Sequence, residues 1–302
     1  MWVHHDGFQQ VVKQAWSSEA ADHPMFNILL KMKAVKSALR TWNKDVFGNI
    51  FTKIKEDKAK LADLELKMSS GPVLDTVDEN HLNLHQAEKE ELKNLYLLEE
   101  IFWKQKSTVH WLVEGDRNTR LFHSVATEKQ RRMSIRFIDL LDDCRLHDLP
   151  DFKVATVDHF SDLFVTGNTL LSPDLLHVIP SIISQEHNNR LLQSPSLREV
   201  QQAVMVIPSN EASGPDGFSS SFFKACRDTI GADLHRATEF IFQGGSFPRA
   251  VTATLIYLIP KHAAPKAFSD FPPIGLCNRL YKIIANVISP RLSLVLPELV
   301  SP

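Results

Sequence analysis

Two apolar ladders divided by a Gly-Pro break limit this chain more than any other feature. From about Met25 to Ser69, the residues Phe26, Leu29, Leu30, Leu39, Trp42, Val46, Ile50, Ile54, Leu61 and Leu64 recur mostly at three- or four-residue steps. Lysines and acids fill the gaps, the pattern of an amphipathic helix. Gly48 is the weak point of that run. Ser69-Ser70-Gly71-Pro72 ends it. A second ladder runs from about Asp78 to Val113, with Leu82, Leu92, Leu95, Tyr96, Leu98, Phe102 and Trp103 on its apolar side. Glu88, Glu90, Glu91, Glu99 and Glu100 mark its solvent side. Two such helices on a short loop are expected to fold back as an antiparallel hairpin. Each helix, if continuous, spans roughly 50–65 Å at 1.5 Å per residue.

The chain then changes character. Gly115-Asp116-Arg117-Asn118-Thr119 breaks the second ladder, and Asp116 or Asn118 is placed to cap a helix holding Leu121, Phe122 and Val125. Ser134–Ile138 alternates as a strand does, with Leu140-Leu141 as an extension and Asp142-Asp143 as the following turn. A helix is expected at 152–166. Ser196 with Glu199 forms a capping box for a helix carrying Val200, Ala203 and Val204. Residues 219–242 read as one helix, Thr254–Ile259 as a strand, and 279–296 as a last helix interrupted at Ser289-Pro290.

Composition excludes several classes. A net charge of -2 over 302 residues is not that of a wholly basic nucleic-acid binder, so any such surface is local. Cys144, Cys226 and Cys277 form no CxxC pair, and their odd number fits a reducing compartment rather than a disulfide framework. The N-terminus has no apolar run for a secretory signal, and no stretch reaches the roughly 20 apolar residues of a membrane span. The expected setting is soluble and intracellular, nucleus or cytoplasm, not secreted, with no membrane partner. His4-His5-Asp6 lacks further ligands at metal-site spacing and reads as a polar terminus.

Gly214-Pro215-Asp216-Gly217 has the composition of a type I turn: Pro presets φ at the second position and Gly closes the turn. It sits in Ala212–Phe218, followed by Leu258-Ile259-Pro260-Lys261 and then by Phe271-Pro272-Pro273-Ile274-Gly275-Leu276-Cys277-Asn278-Arg279-Leu280-Tyr281-Lys282-Ile283-Ile284-Ala285. In that order and spacing these segments resemble plant-type LINE (non-LTR) retrotransposon reverse transcriptases, RNA-directed DNA polymerases. Upstream, Glu99–Ser107 and Trp111–His123 are similar to the linker between endonuclease and polymerase in those elements. So is the start of the chain, at Trp2, His4, Phe8, Val11, Val12 and Trp16.

The resemblance implies an α+β, mostly helical chain: a long helical hairpin followed by a partial reverse-transcriptase fingers subdomain. Residues 1–23 would be a linker tail, 24–145 a helical linker domain with a basic junction, and 146–302 a partial fingers domain cut before the palm, its fingers beginning near residue 195. It places Lys261 near the incoming nucleotide. The family Arg of R-P-I is replaced by Pro272, and the usual Ser by Gly275. Relatives of full length need magnesium, held by an Asp and a Tyr-x-Asp-Asp turn. These 302 residues contain no Tyr-x-Asp-Asp. Asp142-Asp143 reads as a solvated turn, and Asp216 and Asp270 as structural acids. No cofactor and no catalytic residue is therefore expected here, and no polymerisation by these residues alone.

The expected interface is the basic stretch 104–136. Lys104, Lys106, Arg117, Arg120, Lys129, Arg131, Arg132 and Arg136 outnumber the acids, with Trp103, Trp111 and Phe122 between them. Cations among aromatic rings suit phosphates and unstacked bases, so RNA or an RNA/DNA hybrid is the expected partner. A solvated face over buried aromatics fits the same residues. Two other functions stay open: a helical protein-interaction module, and a polymerase subunit completed by another chain. Without a palm to cover it, apolar surface around 255–296 is expected to lie exposed. Cys277, in an apolar run, is expected to be buried.

Overall fold

The structure, a computed structural model, describes residues 2–17, 21–46, 48–70, 79–107, 119–140, 145–147, 149–165, 182–209 and 211–299. Gly71-Pro72, the segment holding Trp111 and Arg117 with the Asp116 and Asn118 caps, and Asp142-Asp143-Cys144 lie outside the described residues. The chain divides into two units, Met1–Ala20 with Leu29–Gln130, and Ala21–Ile28 with Arg131–Pro302. It is mostly helical, and among the described residues its strands make two small antiparallel ribbons.

In the first unit, helix α1 (Phe8–Trp16) buries Phe8, Val12 and Trp16, one residue per turn. Its ring partner is Trp42 on α2 (Pro24–Val46), 6.5 Å from Phe8 and 5.1 Å from His5. Trp2 donates its indole N–H to Asn43 Oδ1 at 2.6 Å. Within this unit α2 buries Met32, Val35 and Leu39, three and four residues apart.

The expected helix from Met25 to Ser69 is two helices. Gly48 takes φ +55°, a left-handed conformation that ends α2. Asn49 then receives the backbone N–H groups of Phe51 and Thr52 on its side chain and starts α3 (Ile50–Ser70). The hairpin therefore pairs α3 with α4 (Glu79–Ser107). Phe51 meets Phe102, Lys58 meets Tyr96, and Glu65 meets His85, so one helix rises as the other falls. Ile50, Ile54, Leu92 and Leu95 form its core, with Leu61, Tyr96 and Leu98 packed around them. Leu82, expected on the apolar side, is exposed. With α3 at 21 residues and α4 at 29, the arms are roughly 30 and 45 Å long, shorter than expected. Helix α5 (Thr119–Met133) follows and buries Phe122.

The second unit opens with a two-residue ladder. Strand β1 (Ile138–Asp139) pairs with β2 (Arg145–Leu146), and Arg145 clamps Asp139 at 2.6 Å. The expected strand over Ser134–Ile138 is thus displaced, and Ser134–Phe137 stays outside the ladder. Ile138 is fully buried against Phe160, Phe268 and Phe271. Phe160 comes from α6 (Leu149–Phe164), close to the helix expected at 152–166.

Each of the next three helices starts on a serine cap. Ser184 receives His187 N and opens α7 (Gln185–Leu192), and Ser196 receives Glu199 N at 3.2 Å and opens α8 (Leu197–Val206). Ser219 receives Phe222 N and opens α9 (Ser220–Ala225). The helix expected over 219–242 breaks at Cys226 (φ −102°) into α9 and α10 (Arg227–Phe242). After the short α11 (Arg249–Thr252), β3 (Thr254–Leu258) pairs with β4 (Pro273–Cys277), Thr254 opposite Cys277 and Leu258 opposite Pro273. Helix α12 (Arg279–Ser293) runs straight through Pro290, contrary to the expected interruption, and α13 (Leu296–Leu299) follows. Helix α8 packs on both α10 and α12, burying Val200, Ala203, Val204, Ile230, Leu234, Leu280, Ile283, Ile284 and Val287.

Arg291 explains why α12 continues past its proline. Its guanidinium binds both Glu199 oxygens, at 2.8 and 2.9 Å, and donates to the carbonyls of Leu191 and Gln193 at the end of α7. It also lies 4.8 Å over the Phe242 ring. One side chain thus ties α7, α8, α10 and α12 together across the last helical turn.

Candidate nucleic-acid interface

The described residues of the basic stretch divide between the end of α4 and α5. On α5, a 3.6-residue period puts Arg120, Ser124, Thr127 and Arg131 on one stripe, and all four are exposed. Arg132 is exposed about a third of a turn away. Lys129 falls on the side of Phe122 and is half-buried, so it leaves the expected basic face. Arg131 and Arg132 stand in the last turn of α5, where cations also favour the helix dipole. On α4, Lys104 is half-buried and Lys106 exposed, while Arg117 lies outside the described residues. Arg136 is exposed beyond the helix end.

Lys106 is held by aromatics. Its Nζ lies 4.4 Å over the Phe102 ring and 5.5 Å over the Trp103 ring. Beside it, Phe51, Glu99, Trp103, Arg120 and His123 line a cavity of about 340 Å³ within the first unit. Trp103 and His123 meet edge-on, 4.5 Å between centroids.

Gly214–Gly217 closes a hydrogen-bonded turn and has a partner the sequence conceals. Gly217 N donates to Gly214 O at 3.0 Å, and Gly217 takes φ +80°. Asp216 Oδ1 accepts Phe218 N at 3.0 Å. The turn then docks on the start of α12. A Cβ on Gly214 would lie 2.5 Å from Cys277 O and 2.7 Å from Asn278 N, so only glycine fits there. Asn278, nearly fully buried, accepts Asp216 N on its Oδ1 at 3.0 Å and donates its Nδ2 to Ala250 O (2.7 Å) and Val251 O (3.2 Å). Arg279, fully buried, donates to Glu211 Oε2 at 2.5 Å and to Ala212 O. Lys282 donates to the same Glu211 oxygen at 3.1 Å. Arg279 first, and Lys282 with it, hold the Glu211 carboxyl below its ordinary range. Glu211, Asn278 and Arg279 are the residues that sequence reasoning left without a role.

Lys261 is exposed, but its ammonium donates to Ser269 O at 2.9 Å and its backbone N–H to Asp270 O. Asp270 organises this loop. Its Oδ2 accepts Lys266 N at 2.8 Å and Ala267 N at 3.1 Å, and His262 lies 3.3 Å away. The two backbone N–H groups, Lys266 first, pull its pKa to about 2, with His262 adding to them. Cys277 is half-buried rather than buried, its Sγ 3.5 Å from Thr254 Oγ1. Burial is complete instead at Cys226, whose thiol is pushed up to about 12 by loss of solvent.

Among the described residues, the carboxylates are not arranged as the magnesium site of a polymerase would need. Asp216 Oδ1 and Asp270 Oδ2 accept backbone N–H groups of their own loops, and Asp270 Oδ1 faces His262. Asp57, Glu88 and Glu91 bring one oxygen each within 4.8 Å of one another, on α3 and α4. Lys60 is their counter-cation, 2.9 Å from Asp57. None of these acids lies on a strand. Among the described residues no helix is long and apolar enough to cross a membrane.

No protein-family model matches the chain. It is 27% identical, over an alignment of 307 positions, to the Transposon TX1 uncharacterized 149 kDa protein of Xenopus laevis. The match takes in 98% of this chain, which spans 23% of the length of that relative. The likeness is thus to part of a transposon protein.

Proposed function

We propose that these residues are the nucleic-acid-handling front of a LINE-type reverse transcriptase, binding RNA or an RNA/DNA hybrid without joining nucleotides themselves. The observation that carries the reading is the docking of the Gly214–Gly217 turn on Asn278 and Arg279. Segments that resemble the fingers motifs, about 60 residues apart, build one buried junction. The exposed stripe of Arg120 and Arg131, with Arg132 beside it, supplies the cations that phosphate contacts need.

Gel-shift assays at low salt with labelled RNA and with an RNA/DNA hybrid test the reading. A retarded complex with either one is expected. Absence of any complex contradicts it. Template-primer extension with magnesium and nucleotides is expected to yield no product, because the acids of the motif segments are already bound to backbone N–H groups. Extension by the purified chain would overturn that half of the proposal.

A further inference from the structure

We infer that the aromatic pocket between α3, α4 and α5 receives one unpaired guanine base of a single-stranded RNA, an inference that rests on the nucleic-acid reading above. The cavity of about 340 Å³ stands at the small end of ligand pockets, roughly 300–1,000 Å³, which suits one base and not a folded ligand. Its rings do not lie flat on one another. Phe51 is tilted 54° from Trp103, and Trp103 stands at 75° to His123. Lys106 covers part of the Trp103 ring, so the faces a base can reach are chiefly those of Phe51 and His123, with Trp103 as the wall between them. Phe51 is 37% exposed and His123 is exposed, so the ring surface is reachable from solvent.

The charged groups choose the occupant. Arg120 stands in the first turn of α5, on the pocket wall, and Lys106 lies over the neighbouring rings. Both suit the flanking phosphates. Glu99 also lines the pocket, and a carboxylate repels phosphate, so the phosphates stay outside. Two carboxylate oxygens accept two neighbouring donors. Guanine carries such a pair, N1–H and the N2 amino group, on its Watson–Crick edge. Adenine and cytosine offer an amino group without the neighbouring imino N–H, and uracil only an imino N–H. In a duplex that edge is occupied, so the base must be unpaired.

Fluorescence anisotropy of the full chain tests the inference, with uridine decamers carrying one guanine, one inosine, one adenine or none. The guanine strand is expected to bind roughly tenfold tighter than the adenine strand, with inosine, which lacks the N2 amino group, between them. Glu99→Gln is expected to erase the guanine preference, so that the guanine and adenine strands bind alike. Trp103→Leu is expected to cost roughly tenfold on the guanine strand. Phe51→Leu serves as a second ring variant should Trp103→Leu lose its helical circular dichroism. Equal affinity for all four strands, or a preference that survives Glu99→Gln, overturns the guanine pocket while salt-dependent RNA binding stands. If no strand binds, the broader reading fails, and guanosine monophosphate is then titrated alone against tryptophan fluorescence. Quenching that exceeds that by adenosine monophosphate, and that Trp103→Leu abolishes, keeps the pocket. Equal or absent quenching removes it.

Discussion

Asn278 shows how a single side chain can carry a junction. It caps nothing in its own helix, yet it bridges the Asp216 backbone and the carbonyls of Ala250 and Val251. Asn278→Ala leaves those buried groups without partners and is expected to cost about 2–3 kcal/mol in urea denaturation. Gly214→Ala forces a Cβ into the Cys277 carbonyl, backbone that cannot swing aside, and is expected to cost at least about 2 kcal/mol in the same assay. Asp270 sets an acid limit on its loop. Its folded pKa, about 2, lies below the ordinary 3.8, so its contribution is full above about pH 4 and lost as the pH falls toward 2. Asp270→Asn is expected to flatten that stretch of the pH–stability curve; an unchanged slope would show that the backbone bonds to Asp270 do not matter. The turn at Gly214–Gly217 is legible in the sequence because its chemistry is local. Its bond to Asn278, 62 positions away, has no local signature.

At the scale of elements, the same contrast decides what can be read. The Ser196 cap of α8 follows from side-chain chemistry within one turn, and its removal by Ser196→Ala is expected to cost about 1 kcal/mol by thermal denaturation. The split of α2 from α3 escapes the periodic pattern because the apolar spacing continues across Gly48, while the left-handed φ belongs to that one residue. Strand β4 is hidden by Pro272-Pro273 and Gly275, which read as loop chemistry, though Pro273 sits at the first ladder position, where a missing N–H is tolerated. The persistence of α12 through Pro290 comes from Arg291 and its long-range partners, which no helix-breaker rule anticipates. The position of Lys129 on the packed side of α5 was legible in principle, since it lies seven residues after Phe122.

Over the whole molecule, apolar surface among the described residues collects on the β3–β4 ribbon and on α12. Leu255, Ile256, Tyr257 and Ile274 of the β3–β4 ribbon are 40–53% exposed, and Tyr281, Ile288 and Leu292 of α12 are exposed as well. A two-stranded ribbon open on both faces is an aggregation hazard. Replacing Leu255 and Tyr257 together by Lys is expected to reduce concentration-dependent association in light scattering and leave helical circular dichroism intact. Unchanged association would place the sticky surface elsewhere. The basic stripe cannot be judged from net charge, because -2 is a sum over the chain and the stripe is a few residues of one helix. The most direct measurement is therefore the affinity of the whole chain for single-stranded RNA as salt is raised from about 50 to 300 mM, for the natural sequence and for Arg131→Ala/Arg132→Ala. Log affinity is expected to fall linearly with log salt, and the double variant to lower the slope by roughly 1.4, about 0.7 for each phosphate that is no longer neutralised. No binding at about 50 mM salt, or a slope that the two substitutions leave untouched, contradicts the nucleic-acid account.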